Sequence, residues 1–132
     1  MAIQDNKLPE VCSSEDPSRG ASLFVRNSIR ATKLILNTNL VAVAARISCP
    51  KAVTVCSIYL LPGENISRNS FIDLEPKPYI LLGDFNAHSP LWGDERLDQH
   101  GKMIEDFLIS NDDILLTKSQ LLFILLLVVR RL

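Results

Sequence analysis

Chemistry is most concentrated in the run Tyr79-Ile80-Leu81-Leu82-Gly83-Asp84-Phe85-Asn86. Tyr79 to Leu82 is continuously apolar, the pattern of a central strand, and such a strand needs no charge at its end in order to fold. It nevertheless delivers a carboxylate and a carboxamide just past its last core residue, where a sheet holds the backbone rigid. Asp84 and Asn86 are two apart, so in extended geometry they project to one side, with Phe85 turned into the core. Gly83 lets another backbone or a substrate come close. The pair suits phosphodiester hydrolysis. Asp84 could orient and deprotonate the attacking water as a general base. Asn86 could donate a hydrogen bond to the charge developing on the phosphoryl oxygens. A hard divalent cation such as Mg2+ would take carboxylate and substrate oxygens. A purely structural role is the competing explanation: Gly-Asp-x-Asn also closes strands as an Asx turn, and the four residues by themselves leave both open.

The elements that must position this pair are legible on either side of it. Asp16 to Gly20 is rich in turn formers, and Ala21 to Val25 then reads as a short strand broken by Asn27 and Ser28. Leu40 to Ile47 is a second strand, apolar on both faces and hence expected to be buried on both. Val53 to Leu60 is a third, rich in β-branched residues, and the short Cys49-Pro50-Lys51 link predicts that the two pair as a hairpin. Pro62 and Gly63 end that run. Ser67 to Leu74 is compatible with a short helix, which Pro76 and Pro78 would stop. A polar loop is expected from Gly83 to about Leu97. Asp98 is a candidate N-cap for a helix running to Ser110, with Met103, Ile104, Phe107 and Leu108 on one face and Glu105 and Asp106 pointing elsewhere. Ile114 to Leu116 reads as a further strand. Strands with interspersed helices imply an α/β or α+β layered domain.

Composition bounds the function classes. The chain has 132 residues, enough for one domain, with 47% hydrophobic and 22% charged residues. Its net charge of −1 means that nucleic-acid binding cannot rest on bulk electrostatics and needs a site. Three cysteines with no C-x-x-C spacing indicate neither a disulfide framework nor a zinc knuckle, and Cys56 in an apolar run reads as a core residue. Reduced, intracellular residence, in nucleus or cytoplasm, is the expectation. Leu121 to Val129 is an unbroken apolar run of nine residues, short of the ~20 needed to span a bilayer, so no membrane role is expected.

Gly83-Asp84-Phe85-Asn86-Ala87-His88, followed by Pro90, Trp92 and Gly93, resembles the signature of the endonuclease/exonuclease/phosphatase superfamily, and most closely its jockey-like non-LTR retrotransposon branch. Ala21 to Ile29, Leu40 to Ile47, Val55 to Leu60 and Gly101 to Leu108 resemble that branch's neighbouring segments in the same order, so the resemblance covers about Ala21 to Leu116. It implies a partial four-layer α/β sandwich, with a mostly antiparallel or mixed sheet and flanking helices. It implies a Mg2+- or Mn2+-dependent endonuclease acting on DNA, in an element that also encodes a reverse transcriptase. It carries catalytic roles onto Asp84 and Asn86, and onto Tyr59, whose Tyr-x-x-Pro context with Pro62 matches an active-site tyrosine able to bond the scissile phosphate. Gln4-Asp5-Asn6 stands where the branch has Gln-Glu-Thr, which makes Asp5 the candidate metal ligand, one methylene shorter than Glu. His88 in the signature loop is the candidate substrate contact, Trp92 is expected to pack that loop, and His100 reads as surface.

The sequence also departs from that pattern. The opening strand and the closing Asp and Asp-His of the branch have no counterpart, and Glu64 to Pro76 is short. The chain therefore divides into an N-terminal remnant (1–20), a partial domain (21–116) and a divergent apolar tail (117–132), and in isolation is expected to be poorly soluble and weakly active or inactive. Two alternatives stand beside the endonuclease: a catalytically dead mobile-element remnant, and a repair endonuclease or phosphatase of the same superfamily.

Overall fold

A computed structural model of the protein describes residues 10–13, 20–48, 50–67, 70 and 78–111. Among these residues six strands and one α-helix follow in order: β1 (Glu10–Ser13), β2 (Ser22–Phe24), β3 (Arg30–Leu34), β4 (Val41–Ser48), β5 (Ala52–Tyr59), β6 (Tyr79–Asp84) and α1 (Gln99–Asn111), with a 3-10 turn at Pro90–Trp92. The expected helix over Ser67 to Leu74 and the strand over Ile114 to Leu116 fall largely or wholly outside the described residues, as do Asp5 and the apolar tail.

A four-stranded mixed sheet, in the order β3-β4-β5-β6, forms the centre. β4 and β5 make the expected antiparallel hairpin, in register from Val41 opposite Tyr59 to Ser48 opposite Ala52. β6 then runs parallel to β5. The sequence reading named neither β1 nor β3. β3 reads Arg-Ala-Thr-Lys-Leu and lies at the sheet edge, where exposed charge guards against further pairing and hides the apolar alternation. β1 pairs antiparallel with β2 in a separate small sheet.

Alternation sorts the central sheet into two faces. On the first lie Ala42 and Ala44, Cys56 and Ile58, and Tyr79 and Leu81, paired across the strands by register. The helix supplies the other half of this core. Ile104, Phe107 and Leu108 join Ala44, Cys56, Ile58, Leu81 and Phe85 in one buried cluster, with Met103 packed against it. This is the stripe expected from the helical spacing, and Cys56 is a buried free thiol. The second face carries Val41, Val43, Ala45, Val55, Ser57, Tyr59, Ile80, Leu82 and Asp84. The β1–β2 sheet covers its β4 side, where Ala21 and Leu23 meet Val43 and Val41. Over β5 and β6 the same face is half-buried at Val55, Ile80 and Leu82, with Ser57 between Val55 and Tyr59 buried. No helix among the described residues is long and apolar enough to cross a membrane.

Candidate active site

Tyr59 and Asp84 are register partners on the parallel strands β5 and β6. Side chains of such partners emerge on the same face, here the one that α1 does not cover. Both are partly exposed. β6 runs through Gly83 to Asp84, so the carboxylate belongs to the strand itself rather than to the loop that was expected to begin at Gly83. Gly83 is what permits this. Its φ is +142°, and a Cβ there would overlap the Ile58 carbonyl oxygen, so only glycine lets β6 lie this close to β5.

Asn86 departs from the extended geometry assumed for it. Its φ is +42°, making it the single non-glycine at positive φ among the described residues. Asparagine tolerates the left-handed region better than most residues, and three elements hold it there. Asp84 Oδ1 accepts the Asn86 backbone N–H at 3.0 Å. The Asn86 Nδ2 donates to the Leu60 carbonyl just past β5 at 2.6 Å. The Asn86 carbonyl faces the His100 Nδ1 of α1 at 3.1 Å. The Asx turn is therefore formed, and it does not compete with chemistry. One Asp84 oxygen makes the turn, and the Asn86 amide has a second hydrogen beyond the one given to Leu60. Both side chains are partly exposed.

The following loop is cross-braced. Ser89 is fully buried, caps the 3-10 turn by accepting the Leu91 N–H at 3.0 Å, and donates to Glu105 of α1. Glu105, expected to lie off the apolar stripe, thus faces the loop. Trp92 packs the loop as expected: it is buried, and its Nε1 donates to the Ala87 carbonyl at 3.1 Å. Asp98 caps α1, accepting the Gly101 N–H at 2.7 Å, and the same oxygen accepts the His88 N–H at 3.0 Å. A Cβ at Gly101 would overlap the His88 carbonyl, so this glycine sets how closely the helix start approaches the loop.

The His88 ring is partly exposed. Its Nδ1 lies 2.6 Å from Asp94 Oδ2, and its Nε2 lies 3.2 Å from an Arg96 guanidinium nitrogen. Carboxylates only accept and guanidinium only donates, so Nδ1 carries the hydrogen and Nε2 accepts. The His88 bond, reinforced by the Arg96 backbone N–H, holds the Asp94 carboxyl below the usual carboxylate range. Asp94, Arg96 and the capping role of Asp98 toward His88 were not singled out beforehand as site residues. Neither was His100, which was read as surface and is only 4% exposed. The signal for His100 was present: it stands four residues before Ile104, on the buried stripe of α1.

The structure thus brings Tyr59, Asp84 and Asn86 to one end of β5 and β6, with His88 two residues along. Asp5 lies outside the described residues. Among the described residues no group of three or more His, Cys, Asp or Glu could hold a metal ion. These residues on their own do not form a cation site.

With this geometry in view, comparison with known proteins is informative. A family model described as endonuclease-reverse transcriptase matches residues 53–123, more than half of the 132 residues. The chain belongs to the endonuclease-reverse transcriptase family. The match includes β5, β6, the signature loop and α1, and so every candidate residue except Asp5. A solved structure, the endonuclease domain of TRAS1, a telomere-specific non-LTR retrotransposon, superimposes with a TM-score of 0.69 at 22% identity, over 85% of this chain and 56% of that one. That likeness shows the endonuclease fold, and the chain spans little more than half of that domain's length. A search of curated proteins returns no match.

Proposed function

We propose that this member of the family is a retrotransposon-type endonuclease that hydrolyses DNA phosphodiester bonds through Asp84, Asn86 and Tyr59. The observation that carries the reading is the register pairing of Tyr59 with Asp84 on a half-open sheet face, with Asn86 pinned beside them by β5, β6 and α1. Asp84 keeps an oxygen outside the Asx turn to take a proton from water. Asn86 offers its remaining amide hydrogen, and Tyr59 its hydroxyl, to the phosphoryl oxygens. His88, oriented by Asp94, presents an edge to the DNA strand beside them. Rigid donors aimed at developing charge act without reorganising during the reaction, and positioning of this kind is much of catalysis.

Two neutral donors relieve little of a phosphodiester's charge, so the reading includes a hard divalent cation, Mg2+ or Mn2+. Asp5 is the proposed carboxylate toward it, with further ligands to come from outside the described residues. The substrate is DNA, and a reverse transcriptase encoded in the same element is the proposed partner.

Nicking of supercoiled plasmid by the purified chain tests this. The expected result is slow nicking that stops with EDTA and falls by roughly 10²- to 10⁴-fold in Asp84→Ala, the range of a lost general base. Nicking that persists in Asp84→Ala would overturn the assignment. No nicking under any condition would favour the catalytically dead remnant.

A further inference from the structure

His100 is a buried histidine that the proposed chemistry does not use. Its two ring nitrogens face two different segments. Nδ1 lies 3.1 Å from the Asn86 carbonyl oxygen, and Nε2 lies 2.6 Å from the Glu64 carbonyl oxygen. Glu64 closes the turn that follows β5: its N–H donates to the Leu61 carbonyl at 3.1 Å, its Oε2 accepts the Leu61 N–H at 3.3 Å, and Gly63 within the turn sits at φ +73°. That turn begins one residue past Leu60, the residue whose carbonyl takes the Asn86 amide. The imidazole therefore spans the two loops that flank the candidate site, from the first turn of α1 beneath them.

We propose that His100 is a positioning residue for the reaction: by bonding both carbonyls it locks the Asn86 backbone in its left-handed conformation and fixes Asn86 against the Leu61–Glu64 turn. The role rests on the reading of Asn86 as a donor to the phosphoryl group. The chemistry selects histidine. Both partners are carbonyl oxygens, which only accept, so the full clamp needs a donor at each end of one short, flat side chain, which histidine supplies as the imidazolium; the neutral ring donates to one carbonyl only. A left-handed non-glycine backbone persists where its surroundings over-determine it. Asp84 holds the N–H side of Asn86, and His100 holds its carbonyl side. Without His100, the Asn86 backbone would be held at its N–H alone, with the side chain still bonded to Leu60.

Two variants test the proposal, His100→Phe, which keeps a flat buried ring with no donor, and His100→Gln, which keeps a donor for one carbonyl. Amide hydrogen exchange on the full chain, read by mass spectrometry, is the first readout. In His100→Phe, protection should fall by about tenfold or more in segments 61–66 and 84–88, while β4 and the core of β5 stay as in the parent; in His100→Gln the loss should be confined to one of the two segments. Plasmid nicking is the second readout: kcat should fall by roughly tenfold in His100→Phe with KM unchanged, and recover in part in His100→Gln. Exchange that is unaltered in both segments, or that rises equally through β4 and β5, would overturn the clamp. A parent chain that does not nick, while its variants show the local exchange pattern, would overturn the nuclease reading and support the clamp.

Discussion

On one face of the central sheet, Ala44, Cys56 and Leu81 are fully shut off from solvent beneath α1. One residue along the same strands, on the opposite face, Val55, Ile80 and Leu82 remain half-exposed. The strands are shared, so neither propensity nor register explains the difference. What differs is the cover. α1 packs on the first face, its Ile104, Phe107 and Leu108 joining Leu81 and Phe85 in one core, whereas among the described residues the β1–β2 sheet packs on the second mainly at Val41 and Val43 of β4. Tyr59 and Asp84 sit at the end of that open lane. A closed face lends a backbone its rigidity, and an open one lends a side chain access to substrate. The site draws on both, because Gly83, Asp84 and Phe85 alternate between the two.

Gly83 joins the faces, and changing it should have the largest effect. Gly83→Ala forces a Cβ onto the Ile58 carbonyl at a positive φ, so the β5–β6 pairing and the site should fail together. Circular dichroism and plasmid nicking should both show loss; a folded and active variant would mean that the two strands are not held by this contact. Phe85→Ala isolates the closed face. Phe85 is completely buried, and its truncation should cost about 3–5 kcal/mol in a denaturant titration. A cost below about 1 kcal/mol would mean that the core collapses around the gap far more readily than its burial implies.

Tyr59→Phe isolates the open face. It removes one hydroxyl at a partly exposed position and leaves the ring, so the melting temperature should hardly change. Loss of one hydrogen bond to a charged phosphate should lower nicking by roughly tenfold. A clear loss of stability with nicking unchanged would show that Tyr59 belongs to the packing, and that the open lane ends short of it.

Much of this contrast is readable in the sequence. Continuous apolar runs located β4, β5 and β6, the tight Pro50 connection announced the hairpin, and Asp98 marked the start of α1, because each signal acts within a few residues. Trp92 was rightly read as loop packing. What escaped depended on tertiary partners. β3 looked polar because it is an edge. Asn86 looked extended because nothing local states that His100 and Leu60 will hold it at positive φ. His100 looked exposed because the apolar stripe of α1 was traced from Met103 and not one turn earlier. That Glu105 takes the Ser89 hydroxyl is likewise a tertiary contact with no local signal. The strand end pointed to Asp84 and Asn86 as candidates and the endonuclease resemblance added Tyr59 and His88, whereas the three-point grip on Asn86 could come only from the packed structure.

The smallest expected effect concerns how the signature loop is braced rather than what either face buries. Asp94 is held below the usual carboxylate range by its bond to His88. A depressed carboxyl stabilises the folded loop at all pH values above the ordinary aspartate range, and that contribution is lost as pH falls through the lowered value. The buried Trp92 sits in the same loop and is the chain's one tryptophan, so its fluorescence reports on the brace directly. Acid titration of the parent should show a shift in Trp92 emission below the usual aspartate range, before the core unfolds. Asp94→Asn should remove that early step and leave the later unfolding in place. If the step survives in Asp94→Asn, another carboxylate, with Glu105 beneath Ser89 as the nearest candidate in the loop's own bonding, sets the acid response, and the loop is anchored to α1 more firmly than to its own His88.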